Sequence, residues 1–155
     1  MTRYQNRQLY SECQLVAMWN ACRYYNMPVA LPKMGTRHYK QICKQACAIH
    51  GAALFTEFEL TRVGLTRKFI KPRLAEVRTH LPVHLAIFCH KGFHSVLVVS
   101  VKGNKVLLAN YAKGRSHWLR WSVLQLRDDR TNYKLPFQYI PATCATALLH
   151  DRQKE

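Results

Sequence analysis

Three residues stand in an order that suits nucleophilic catalysis: Cys13, His94 and Asn110. Ser11-Glu12-Cys13-Gln14 has the form of a capping box, with Ser11 as N-cap and Gln14 at the third helical position. That places Cys13 at the second helical position, against the positive end of the helix dipole, where a thiolate is stabilised. Glu12 beside it opposes the effect slightly. A nucleophilic cysteine needs a base, and the base needs an orienting group. His94 precedes the run Val96-Leu97-Val98-Val99, and a histidine on such a strand needs partners for its polar atoms. Asn110 stands near the end of the next strand. Its side-chain amide can accept from the imidazole N–H, so the expectation is an Asn110 side chain within hydrogen-bond reach of His94.

The first half of the chain must supply helices and the second half strands. Leu15, Val16, Trp19, Cys22 and Tyr25 carry the first helix, which Pro28 ends. Its apolar residues cover nearly all faces, so it is expected to be central and buried. Tyr10 and Leu15 fit a hydrophobic staple around its start. A second helix is expected over 36–49, with Gly51 as C-cap. A third starts at the capping box Thr56-Glu57-Phe58-Glu59 and stops near Gly64. A fourth opens at Pro72. Strands are then expected over 83–89, 93–101, 105–111, 116–123 and 133–140, with Gly103-Asn104 as a tight turn. The tail after Pro141 reads as helical or frayed. Helices first and an antiparallel meander after make an α+β fold. A two-residue turn at Gly103-Asn104 sets Leu97, not His94, opposite Asn110. Three strand residues are about 10 Å, so a bulge or strong coiling must bring the two together.

Ser11-Glu12-Cys13-Gln14-Leu15-Val16-Ala17-Met18-Trp19-Asn20-Ala21-Cys22-Arg23-Tyr24-Tyr25 resembles the catalytic helix of papain-like cysteine peptidases. It is most similar to the bacteriocin-leader (double-glycine) peptidase-like branch. Gly92-Phe93-His94-Ser95-Val96-Leu97-Val98-Val99 resembles that family's His strand. Val106-Leu107-Leu108-Ala109-Asn110-Tyr111 resembles the strand with the third member, and Trp118-Leu119-Arg120-Trp121-Ser122 the one after it. The resemblance covers residues 8–126. It implies a papain-like fold, with an N-terminal nucleophile helix and further helices packed on an antiparallel β-sheet. It also implies cleavage of a peptide or amide bond by Cys13, His94 and Asn110, without cofactor or metal. The family uses a Gln shortly before the nucleophile, whose amide joins the cysteine N–H in the oxyanion hole. Gln8 is the candidate here, and Gln5 the other. Where the leader-peptidase branch has Gly after the cysteine, this chain has Gln14.

The 155 residues, 48% apolar, exclude intrinsic disorder and predict one domain over 1–155, with a core of about 8–140. No run approaches the ~20 apolar residues of a membrane span. The first eight residues hold no apolar segment, so no signal peptide is read. A cytoplasmic location is expected, or a virion-associated one for a viral chain, with the six cysteines reduced. Cys43, Cys47 and His50 have the spacing Cys-x3-Cys-x2-His. A zinc site would draw its fourth ligand from His38 or Cys89, but Cys43 and Cys47 lie on an apolar stripe and read as core, like Cys22. His80, His84 and His90 read as surface or loop histidines, with His90 a rival base beside Cys89.

Lys and Arg number 24 against 8 Asp and Glu, a net charge of +16 with His neutral. Such a charge suggests an anionic partner: nucleic acid, a cell-wall polymer or an acidic protein. The densest stretch is 62–73. Trp118, Arg120 and Trp121 could stack on bases, though alternating strand packing is the expected role. The charge keeps two alternatives open beside a hydrolase acting on a peptide or protein substrate. One is a non-catalytic basic structural or binding protein of phage or mobile-element type, using the same fold near nucleic acid. The other is a peptidoglycan-cleaving endopeptidase or amidase.

Overall fold

A computed structural model describes residues 4–50, 57–89, 92–112, 114–127 and 135–142, with backbone alone for 46–50 and 57–59. Helix α1 (Cys13–Tyr24) buries every side chain from Leu15 to Cys22. A helix apolar all round can satisfy itself only inside the protein, and α1 packs across strands β3 (Gly92–Lys102) and β4 (Lys105–Ala112). Asn20, the polar exception, is held on both amide groups by the main chain of Gln5. Helix α2 (Arg37–His50) is capped by Thr36, whose hydroxyl accepts from the Tyr39 N–H at 3.3 Å. Tyr39 and Cys43 of this helix enter the core. Helix α3 (Glu57–Arg62) stops before Gly64, which adopts a φ of +82°. Helix α4 (Leu74–Thr79) follows Pro72 by two residues. The expected caps at Gly51 and Thr56, the side chains of Cys47 and His50, His90, and the tail beyond 142 lie outside the described residues.

The strands form one antiparallel six-stranded sheet in the order β1-β6-β2-β3-β4-β5. Strand β2 (Val83–Cys89), β3, β4 and β5 (Arg115–Arg120) are the expected meander. β5 ends at Arg120, and Trp121–Val123 turns as a short 3-10 helix. Of the strand expected over 133–140, β6 (Phe137–Pro141) forms, between β1 and β2. Strand β1 (Leu65–Phe69) was not expected from the sequence. Its Arg67-Lys68 pair hides the alternation, and a charged strand suits the sheet edge that β1 occupies. β3 is buried on both faces, which is why it reads as an unbroken apolar run. Leu97 and Val99 join α1, Tyr39, Phe137 and Tyr139 in one core; Val96 and Val98 join Ile70, Val77, Leu85, Val106 and Leu108 in the other.

The required bulge is present. The β3–β4 register runs from Lys102↔Lys105 to Ser100↔Leu107, then skips Val99 and resumes at Val98↔Leu108 and Leu97↔Ala109. The skip moves Asn110 one residue closer to His94.

The start of α1 differs from expectation. The N-cap is Glu12, no side chain caps the helix, and Cys13 is its first residue rather than its second. Ser11 and Tyr10 are exposed, so neither capping box nor staple forms. Tertiary bonds override the local motif. The Glu12 carboxylate, 0% exposed, turns back to accept the N–H groups of Leu9 (2.9 Å) and Tyr10 (2.6 Å) and the Tyr39 hydroxyl (2.5 Å). Glu12 therefore ties the loop before Cys13 to α2. Glu12→Ala strands the buried Tyr39 hydroxyl and two part-buried N–H donors and should cost about 1–3 kcal/mol in urea unfolding, with Glu12→Gln losing less. A Glu12→Ala protein as stable as the parent would show that these bonds carry no net stability.

Candidate active site

Cys13, at the head of α1, faces the opening of β3. His94 and Ser95 from that strand both act on its sulfur. Burial pushes the Cys13 thiol up. Hydrogen bonding from the His94 ring and from the Ser95 main chain and hydroxyl, with the His94 charge, outweighs it, and the thiol is held below its ordinary value. His94 moves the opposite way. Burial pulls it down, but hydrogen bonding to Cys13 and to the Asn110 main chain, with the Cys13 charge, leaves it above the ordinary histidine value. The two shifts are the two halves of one interaction: each group favours the charged form of the other.

The partner of His94 is not the one expected. Its Nε2 lies 2.6 Å from the main-chain carbonyl oxygen of Asn110, which leaves Nδ1 to serve Cys13. The Asn110 side chain instead donates to Gln8 Oε1 at 2.9 Å. The reason is backbone conformation. Asn110 sits at φ +63°, a left-handed geometry that asparagine tolerates better than most residues. The β4–β5 register breaks between Leu108 and Ala112, so the chain is free of the ladder at this point. Asn6 accepts the Asn110 N–H at 2.8 Å and fixes the turn. A carbonyl turned out of the strand then orients the imidazole.

Gln8 stands beside this pair in a cleft of about 660 Å³, lined also by Cys13, His94, Asn110, Tyr10, Phe93 and Tyr111. One Gln8 N–H donates to the Tyr10 carbonyl at 2.9 Å. Gln5, the other candidate, is committed elsewhere: its amide bonds Arg7 O and the Tyr39 hydroxyl, each at 2.9 Å. Among the described residues, Arg7 and His94 are the ionisable nitrogen groups on the wall, and no carboxylate lines it. Cys89 also lines the cleft, its thiol bonded to Gly92 O at 3.2 Å. Cys22 and Cys43 are buried, and burial first of all raises Cys22 to about 12, so it stays a protonated core residue. Cys13, Cys22 and Cys89 are free thiols. Among the described residues no group of three or more His, Cys, Asp and Glu is placed to hold a metal ion, and no helix is long and apolar enough to cross a membrane.

No protein-family model, curated protein or solved structure matches this chain.

Sequence reasoning placed His84 on the surface, yet it is 1% exposed, between the hydroxyls of Tyr139 and Ser95. The signal was there: His84 interrupts the apolar stretch Val83–Cys89 just as His94 heads its own strand. Ser95 and Asn6 carried no such signal.

The shifts fix a pH dependence. Alkylation follows the thiolate, so the Cys13 midpoint should fall below the ~8.5 of an ordinary thiol. His94 supports the thiolate while protonated, and that support fades as pH rises through the raised His94 value. His94→Ala should therefore move the Cys13 midpoint upward and slow labelling at neutral pH, read by mass spectrometry of the Cys13 peptide. An unmoved midpoint would rule out coupling between the two groups.

Proposed function

We propose that this chain is a thiol hydrolase of papain-like fold that cleaves a peptide or amide bond. The observation that carries the reading is the meeting of Cys13 and His94 at an open cleft, with the thiol lowered and the imidazole raised. Cys13 Sγ attacks the carbonyl carbon, and a C–S bond forms as the carbonyl oxygen takes up negative charge. His94 gives its proton to the leaving amine as the C–N bond breaks. Water then attacks the thioester carbon, with His94 taking the water's proton, and the C–S bond breaks to release the acid and return the Cys13 sulfur as thiolate beside protonated His94. The oxyanion donors are the Cys13 N–H, one of those that a helix start leaves without an intrahelical acceptor, and the second N–H of Gln8. Asn110 serves both. Its carbonyl orients His94, and its side chain holds Gln8 by the oxygen so that the amide nitrogen faces the cleft.

This assignment separates from a side-chain triad by one substitution. Glycine adopts the left-handed turn and keeps the carbonyl, so Asn110→Gly should retain His94 coupling, read by Cys13 alkylation, and should lose in hydrolysis no more than Gln8→Ala does, since only the hold on Gln8 is removed. Asn110→Val should lose both, because a β-branched residue resists that φ. Cys13→Ala should abolish turnover of peptide or cell-wall-peptide amide libraries, and Gln8→Ala should lower kcat by roughly 10²-fold or more. Failure of the parent protein to cleave any amide while Cys13 alkylates no faster than Cys89 would defeat the hydrolase reading.

A second reading, contact with a polyanion, is favoured by the strand register. Lys102 is paired with Lys105, and Lys105 with Arg120. Cross-strand partners share a face, so three exposed cations stand in one row across β3, β4 and β5, which hold no Asp or Glu. Like charges placed directly opposite repel, and an anion laid along the row relieves that. Trp118, exposed, is two residues from Arg120 on the same face and can stack on a base. Single-stranded DNA should bind with log Kd rising with log salt. The Lys105→Glu and Arg120→Glu pair should reduce both affinity and slope, by roughly 0.7 per lost phosphate contact. Equal binding by the reversed variant would remove the row from any such role.

A further inference from the structure

Behind Cys13 runs a line of polar side chains that the proposed hydrolysis leaves unexplained. Tyr139 of β6 places its hydroxyl 2.7 Å from Nδ1 of His84 on β2. His84 Nε2 lies 2.9 Å from Oγ of Ser95 on β3. Ser95 in turn adjoins His94 on β3, and its hydroxyl and main-chain N–H both lower the Cys13 thiol. All three side chains are buried, and the His84 ring stacks on Phe137 with centroids 4.7 Å apart. Three polar groups inside an apolar core are costly unless each is partnered, and an apolar trio would fill the space without that cost. What the polar trio supplies is direction.

The direction follows from protonation. Burial, then the neighbouring charges of Arg67 and His94, hold His84 down at about 3, so its ring is neutral with one N–H and one lone pair. Burial raises the Tyr139 hydroxyl well above its ordinary value, with Arg67 opposing and Cys22 adding, so it keeps its proton. A thiolate only accepts. With Cys13 ionised, the Ser95 O–H donates to sulfur, the His84 Nε2–H donates to Ser95 Oγ, and the Tyr139 O–H donates to His84 Nδ1.

We propose that Tyr139, His84 and Ser95 are positioning residues, a buried donor chain that aims the Ser95 hydroxyl at Cys13 and holds its sulfur as the thiolate. Ser95 is the near end and acts together with His94, on the adjoining residue of β3. The inference rests on Cys13 being the reactive thiol of the reading above.

The test is the pH profile of Cys13 alkylation by iodoacetamide, followed on the Cys13 peptide of the full-length protein. Ser95→Ala should raise the midpoint by roughly one pH unit, a tenfold loss of thiolate below it, since a hydrogen bond to a charged group is removed. Tyr139→Phe should raise it by less, because it frees His84 to reverse. His84→Leu should match Ser95→Ala. His84→Gln, whose amide can accept from Tyr139 and donate to Ser95, should restore the profile. Thermal melts accompany each variant. If His84→Leu does not fold, Ser95→Ala and Tyr139→Phe, each lacking one oxygen, decide the matter. A low midpoint in the parent that Ser95→Ala and Tyr139→Phe leave in place overturns the chain while the hydrolase reading stands. A parent midpoint at the ordinary thiol value overturns both.

Discussion

The bond from His94 Nε2 to the Asn110 carbonyl, at 2.6 Å, is the constraint around which the site is arranged. It asks three things of the backbone. β3 and β4 must slip by one residue, which the skipped Val99 provides. β4 must leave its ladder on the β5 side, which the break after Leu108 provides. Asn110 must hold a left-handed φ, which costs energy for most residues and little for asparagine. Asn6 and Gln8, from the segment before α1, clamp the Asn110 main chain and side chain respectively. The same short segment thus leads into Cys13 and locks the residue whose carbonyl bonds His94.

That segment would be a loose N-terminal arm without buried polar anchors. Glu12 holds Leu9, Tyr10 and Tyr39, and Gln5 and Asn20 hold each other. Glu12 is thereby one of only 8 acidic residues in a chain with 24 basic ones, and it is buried without a cation bonded to its carboxylate. Neutral donors satisfy it, which spares the desolvation of a second charge. Its carboxylate is taken up by these three donors, and Glu12 is neither among the described residues lining the cleft nor among the groups that shift the Cys13 thiol. The helix start that a Ser11 cap would have served is given over to this anchor instead.

How much of this was legible follows a physical divide. Periodicity exposed α1, the buried strand β3 and the helix at Leu74–Thr79, because burial on all sides or on one face writes itself into apolar spacing. Register arithmetic exposed the bulge, since a two-residue turn and a His94–Asn110 contact are incompatible without one. The α+β class and the antiparallel sheet were readable on the same grounds. What stayed hidden depends on residues far apart in the chain. The Ser11 motif lost to Tyr39 on another helix. Asn110 was read as a side chain because nothing in Leu107-Leu108-Ala109-Asn110 marks a left-handed backbone. His84 was read as exposed because its cover, Phe137 and Tyr139, comes from the strand nearest the other end. β1 was missed because an edge strand is permitted charges that a central one is not.

Charge and chemistry occupy opposite ends of the same strand. His94 lies near the start of β3 and Lys102 at its end, eight residues or roughly 26 Å along an extended chain. Exposed charges separated by more than about 8–10 Å are largely screened at physiological salt. The Lys102–Lys105–Arg120 row is therefore not what lowers the Cys13 thiol; His94 and Ser95 do so. Equally, the cleft wall, with aromatic rings and, among the described residues, no carboxylate, gives no reason for a net charge of +16. Each property needs its own explanation, and the two can be altered separately. Like charges held in register carry a repulsive cost whatever the chemistry of Cys13, and it is that cost which the proposed contact with an anion would relieve.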